Sequence, residues 1–357
     1  NGTTLGGGLF VLEGGAQVIN AYTAGLCGDT SPQAPNQLAT AGTGGRIQAT
    51  NAAFINNRID VFMGQQTGVD PLAPALSYFD HCTFSTTSAL SAPGVMPFGH
   101  VRLFGAHNVE FRSVTVSNTV NDPQASWSDL GPGIVASHTN VKVLGGTTPQ
   151  ERCRFLGLHT AFSHYTMDPS RTFVLDRCDF IGNSRAVSSL STDMQRITNC
   201  TVDVPDGLCQ IPGMGTNLTG ASGFIFDENS FIGHGDDDSF NDLGARFANC
   251  GPDHNRFYNN RFEGFRGERL GFFSAGTVIT GTNAGPNGEN GLKIKCNDYR
   301  DGQFDIAFTK APLNPEARVG NVQGSNASGL GDYTAPAGNT FEFDCAANAA
   351  RTASRSL

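Results

Sequence analysis

The stretch Arg177-Cys178-Asp179-Phe180, answered by Asn199-Cys200-Thr201-Val202, decides the fold. A small or polar residue stands two places before an aromatic or aliphatic one, the alternation of a strand with one face in a core. Toward the N-terminus the unit recurs as Asn51-Ala52-Ala53-Phe54, His81-Cys82-Thr83-Phe84, Ser113-Val114-Thr115-Val116 and Arg152-Cys153-Arg154-Phe155. Toward the C-terminus it recurs as Glu228-Asn229-Ser230-Phe231, Asn259-Asn260-Arg261-Phe262, Cys296-Asn297-Asp298-Tyr299 and Gly338-Asn339-Thr340-Phe341.

Successive anchors lie 30, 32, 39, 25, 22, 29, 31, 37 and 42 residues apart. A floor in the low twenties with variable insertions is what a solenoid produces, because roughly twenty residues go round three short strands and corner loops absorb the rest. A β-sandwich gives no reason for one motif to repeat in this way. The expectation is an all-β, right-handed parallel β-helix solenoid of about ten coils with long corner loops. Residues 1–345 form the helix, and 346–357 form a C-terminal tail or the start of a linker. Stacked coils place Phe84, Phe155, Phe180 and Phe231 in one interior row, with Gly and Asn at corners that need positive φ.

Composition agrees. Of 357 residues 38% are hydrophobic and 15% charged, and 45 are glycine without the three-residue period of collagen. The 26 phenylalanines supply large core side chains, which argues against disorder. A net charge of -9 repels phosphate backbones and anionic lipid, so nucleic acid is not an expected partner. No apolar run reaches the roughly 18 residues of a membrane-spanning helix.

Three strings carry a resemblance. Gly291-Leu292-Lys293-Ile294-Lys295-Cys296-Asn297-Asp298-Tyr299, continuing through Phe304-Asp305-Ile306-Ala307, resembles the coils of secreted right-handed β-helix proteins of Bacteroidota. So do Gly45-Arg46-Ile47-Gln48-Ala49-Thr50 before Phe54, and Gly251-Pro252-Asp253-His254-Asn255 before Phe262. The resemblance implies a secreted or cell-surface location and export of the type IX kind, and it implies no particular activity, since solenoids host enzymes, adhesins and spacers alike.

Nine cysteines cannot all pair within one chain. Cys82, Cys153, Cys178 and Cys200 share the inward slot of their units and read as small core rungs. Cys200 with Cys209, and Cys27 with a loop partner, are the disulfide candidates. No Cys-x-x-Cys pair suggests zinc.

Gly233-His234-Gly235-Asp236-Asp237-Asp238 is the one segment with acid-base ingredients. It is similar to the catalytic turn of polygalacturonases, which share the β-helix architecture. There, however, the aspartate pair and the Gly-His-Gly turn stand about a coil apart, and here they are contiguous. The same Asp236, Asp237 and Asp238 with Asp242 offer oxygens to calcium, without EF-hand or RTX spacing. A solvated acidic loop competes with both readings. His159, His164 and Tyr165 form a second polar cluster, read as surface or satisfied core residues, while Trp127, Tyr165 and Phe98 are candidate glycan platforms. The expected function is a non-catalytic surface module, adhesive or structural, binding glycans or surface proteins, or assembling with its own copies through uncapped ends. No cofactor beyond the calcium candidate is expected. The alternative is a polysaccharide-degrading hydrolase or lyase using His234, Asp236, Asp237 and Asp238.

Overall fold

The computed structural model describes residues 8–28, 45–65, 77–88, 99–120, 131–205, 213–234, 242–251, 253–266, 274–284, 291–309 and 339–341. Their strands form three parallel sheets of ten, eleven and ten strands, each sheet taking every third strand of the chain. That order is a parallel β-helix. Its first coil runs through Leu9–Leu12, Gln17–Ile19 and Leu26–Gly28, and its tenth through Gly291–Lys295, Asp298–Arg300 and Phe304–Thr309. Thr340–Phe341 then adds an eleventh strand to the second sheet.

The recurring unit spans the corner from the first sheet to the second. Its anchors pair in one unbroken row: Phe54, Phe84, Val116, Phe155, Phe180, Val202, Phe231, Phe262, Tyr299 and Phe341, with Val18 ahead of them. Neighbouring rings stack at the strand spacing, Phe155 on Phe180 at 4.9 Å and Phe231 on Phe262 at 4.8 Å. Each anchor thus covers the one before it.

Two residues before the anchors lies a second row, whose chemistry changes along the rod. Cys153, Cys178 and Cys200 fill it midway, buried and free. Burial pushes the Cys178 thiol well above its ordinary value. Cys200 directs its Sγ at the carbonyl of Thr198, 3.2 Å away, and joins no disulfide, and Cys27 is exposed. The expected Cys200–Cys209 pair is not formed, because the Cys200 slot points into the stack; Cys209 and Cys345 lie outside the described residues. From Asn229 onward the row is amide. Each Nδ2 donates to the Oδ1 of the next coil, from Asn229 to Asn260 at 3.0 Å, on to Asn297 at 2.9 Å and to Asn339 at 3.1 Å. Each Oδ1 also accepts the backbone N–H of the preceding rung. These buried corner groups are thereby satisfied without water.

The residue opening the corner is left-handed in eight of the nine units where it is described, with φ between 48° and 56° from Ser113 to Glu228. Asn51, Asn199 and Asn259 suit that slot, but His81, Ser113, Arg177, Glu228 and Cys296 also occupy it, beyond the Gly and Asn expected. The stacked interior on either side fixes the backbone there. Arg152 departs from the pattern because a 3-10 turn, Pro149–Glu151, leads into it and leaves it at φ -63°. Its guanidinium instead bridges coils, bonding Asp179 at 2.7 Å and the Asn199 carbonyl at 2.9 Å.

Candidate functional site

Among the described residues, the outer faces of the sheets are the surfaces open to binding. On the second sheet opposite charges are paired, Arg152 with Asp179, Arg261 with Glu263 and Arg300 with Asp298. On the first, Lys142, Arg196, Arg256 and Lys293 share a row, with the carboxylates Glu110, Asp176 and Asp227 on the same face. Both faces mix the two signs.

The third sheet differs. Its strands Thr160–Tyr165, Arg185–Leu190, Met214–Thr219 and Leu243–Ala248 are six residues long. Phe162, Val187, Thr216 and Ala245 turn inward in register, and so do His164, Ser189, Leu218 and Phe247. Between these rows Ser163, Ser188, Asn217 and Arg246 line up on the outer face. Along one side run Tyr165, Leu190, Thr219 and Ala248. Leu190 is exposed, and Tyr165 meets the edge of His138 at 5.5 Å, which in turn meets Phe104.

On the other side stands Arg185, paired in register between Thr160 and Met214. Its Nε is buried and has no hydrogen-bond partner. Burial and the nearby Arg246 charge push its guanidinium below the ordinary value. Arg246 makes one long bond, 3.4 Å to Asn217 Oδ1. Burial and the Arg185 charge likewise lower the His159 imidazole, whose Nδ1 lies 3.2 Å from Thr160 Oγ1. Among the described residues no carboxylate pairs with Arg185 or Arg246, and the outward positions of these four strands include no acid. Two like charges held together, one with an unsatisfied buried donor, raise the energy of the unliganded face.

The residues singled out from sequence fall elsewhere. Asp236, Asp237, Asp238, Trp127 and Phe98 lie outside the described residues. His234 contacts Asp203 of the preceding coil through Nε2. Asp242 is fully buried, its N–H bonded to Ser274 Oγ at 3.1 Å and its carbonyl accepting from Ala275. Among the described residues no three His, Cys, Asp or Glu side chains gather as a metal site.

The histidine cluster divides between inside and outside. His164 faces the core, where Nε2 donates to the Thr139 carbonyl at 2.7 Å and Nδ1 accepts from the Thr192 hydroxyl at 2.8 Å. Burial pushes it down to about 4, so it is a neutral packing residue. His159 and Tyr165 lie on the outer side. Sequence reasoning missed Arg185 and Arg246 because the repeat marks the second sheet, and insertions of changing length separate that sheet from the third. Six-residue stretches rich in small and β-branched residues, each broken by one arginine, were the available signal.

Comparison with protein-family models, with curated proteins and with solved structures finds no match to this chain.

Proposed function

We propose that this chain is a non-catalytic extracellular module, secreted or displayed on a cell surface, with an adhesive or structural role, and that it extends by stacking end to end with a second copy. One observation carries the reading: among the described residues, the interior rows run on to exposed side chains at the first and last coils. Phe10 occupies the interior row of Ile47 and is 50% exposed. At the other end Phe308 continues the row of Ile279 and is 55% exposed, and Phe341 closes the aromatic row at 53%. A face that continues a core row and ends in a strand edge is complementary to another such face. The two ends differ, so the contact is head-to-tail and does not close on itself, which yields filaments. The extracellular location and type IX export rest on the resemblance to secreted β-helix proteins.

Sedimentation of the full chain across a concentration series tests this. Association that grows with concentration and is lost in both Phe10→Asp and Phe308→Asp is expected. A chain that stays monomeric at about 100 μM, well above a typical micromolar Kd, overturns it.

The hydrolase or lyase alternative is favoured by one contact, that of His234 with Asp203, which places a histidine-carboxylate pair two residues before Asp236. Asp237→Asn abolishing sugar release from a polyuronide would support it, and no release by the unaltered chain removes it.

A further inference from the structure

We propose that the outer face of the third sheet, from Thr160–Tyr165 to Leu243–Ala248, binds an acidic polysaccharide through its carboxylate groups. The proposal is independent of the end-to-end reading, since it uses the side of the rod and none of the end residues.

Arg185 and Arg246 provide the charge. They stand two coils apart, about 10 Å along the rod at the usual strand spacing. No carboxylate faces them among the described residues, and the Arg185 Nε is buried without an acceptor. A guanidinium is a planar fork that matches a carboxylate, and partial burial strengthens the pairing by excluding water. An arriving carboxylate would relieve the repulsion between the two cations.

The rest of the face suits a sugar chain. Ser163, Ser188 and Asn217 present hydroxyl and amide groups in one row, a coil apart, in line with Arg246. Tyr165 and exposed Leu190 give the row beside it an apolar edge against which a sugar ring face can lie. These rows run along the rod axis, so an extended polymer meets equivalent groups coil after coil. The ligand is therefore a chain rather than a free anion. The charge argument also has a negative side: a protein of net charge -9 repels a polyanion at long range, so attraction must come from a local cluster and must weaken with salt.

The test is equilibrium binding of the full chain to polygalacturonate, dextran sulfate and neutral dextran at two salt concentrations. Binding to polygalacturonate that weakens with salt, with dextran sulfate weaker and dextran not bound, is expected. Arg185→Gln and Arg246→Gln should each lower affinity about tenfold or more, the size of losing one charge-assisted pair. Arg185→Lys should recover only part, because it restores charge without the fork. Arg154→Gln on the second sheet and Arg196→Gln on the first should leave affinity unchanged. Circular dichroism melting of each variant separates lost binding from lost fold. Loss on Arg196→Gln with Arg185→Gln silent moves the ligand to the first sheet and overturns the proposal. Equal binding of dextran, or tighter binding of dextran sulfate, overturns the carboxylate assignment, and no binding to any polymer overturns the site. None of these readouts depends on whether the chain forms filaments.

Discussion

Replacing Asn260 with alanine removes one rung of the amide row and measures what that row contributes. Asn260 is buried at 1% exposure. Its Oδ1 accepts from the N–H and the Nδ2 of Asn229, both at 3.0 Å, while its Nδ2 donates to the Phe226 carbonyl at 3.2 Å and to Asn297 Oδ1 at 2.9 Å. Alanine deletes all four bonds, at a net cost of about 1 kcal/mol each, or about 4 kcal/mol together. The Asn229 N–H is left buried without its acceptor, and that alone accounts for about 1–3 kcal/mol of the sum. Cys178→Ala, at the same slot two rungs before Asn229, is the internal control. Its thiol makes only long contacts, 3.6 Å to the Asp176 carbonyl and 3.7 Å to that of Val143, so about 1 kcal/mol is expected there. Urea unfolding followed by circular dichroism gives the two values. Hydrogen exchange at the Asn229 amide places the loss, since in a solenoid each rung depends mainly on its neighbours. Should Asn260→Ala cost no more than Cys178→Ala, the amide row contributes packing alone and the hydrogen-bond argument is wrong.

Phe180→Ala should cost about 3–5 kcal/mol, because it opens a cavity between Phe155 and Val202 in the continuous row, and a loss under 1 kcal/mol in the same urea assay would contradict that packing. The His164 imidazole titrates near 4 when folded and near 6.5 in an unfolded chain, so the unfolded chain takes the proton first; stability is whole above about pH 6.5 and falls toward pH 4 by about 3 kcal/mol. His164→Gln should flatten that slope, and identical slopes in the two proteins would refute the assignment. Maleimide at pH 8 should modify exposed Cys27 and Cys296 in the folded chain and reach Cys82, Cys153, Cys178, Cys200 and Cys250 only after denaturation, the Cys250 thiol being pushed up to about 12 by burial. Rapid labelling of Cys178 in the native state would contradict the buried row.

The second sheet was legible because its corner is short and chemically constrained. In most coils two residues join it to the first sheet, one left-handed and one inward, and the inward slot and anchor persist even where 145–152 lengthen the corner, so register could be counted from Asn51 to Tyr299 without seeing a coil. The change from thiol to amide at Asn229 was visible as letters, but its meaning was not, because each amide is satisfied by residues one coil away. The third sheet was opaque for the opposite reason. Residues 89–98, 121–130, 206–212, 235–241 and 267–273 separate second-sheet strands from third-sheet strands, and no fixed offset survives such insertions. The acidic string at Asp236 drew attention as a motif, whereas Arg185 and Arg246 acquire their relation only when coils are stacked.

That stacking also explains why the arginine face is held in place. In five of the six long third-sheet strands the ladder pairing skips one small residue, Ala161, Ala186, Gly215, Gly244 or Gly276, and in Phe304–Thr309 it skips Asp305. A Cβ at Gly215 would come within 2.8 Å of the Phe231 ring, and one at Gly244 within 2.8 Å of the Phe262 ring. The third sheet therefore rests its backbone directly on the aromatic row of the second. On the near side of the skipped residue Met214, Leu243 and Ala275 turn outward and form, with Val278, an apolar cluster separate from the main core. Arg185 belongs to the row of Met214, and Arg246 to the row of Val278. The phenylalanine repeat thus fixes the backbone beneath the arginines, the skipped residue lets both rows face outward, and the apolar cluster beside them limits water on that face. A motif that marks only the core thus sets in place, through these contacts, two arginines that no carboxylate pairs with among the described residues.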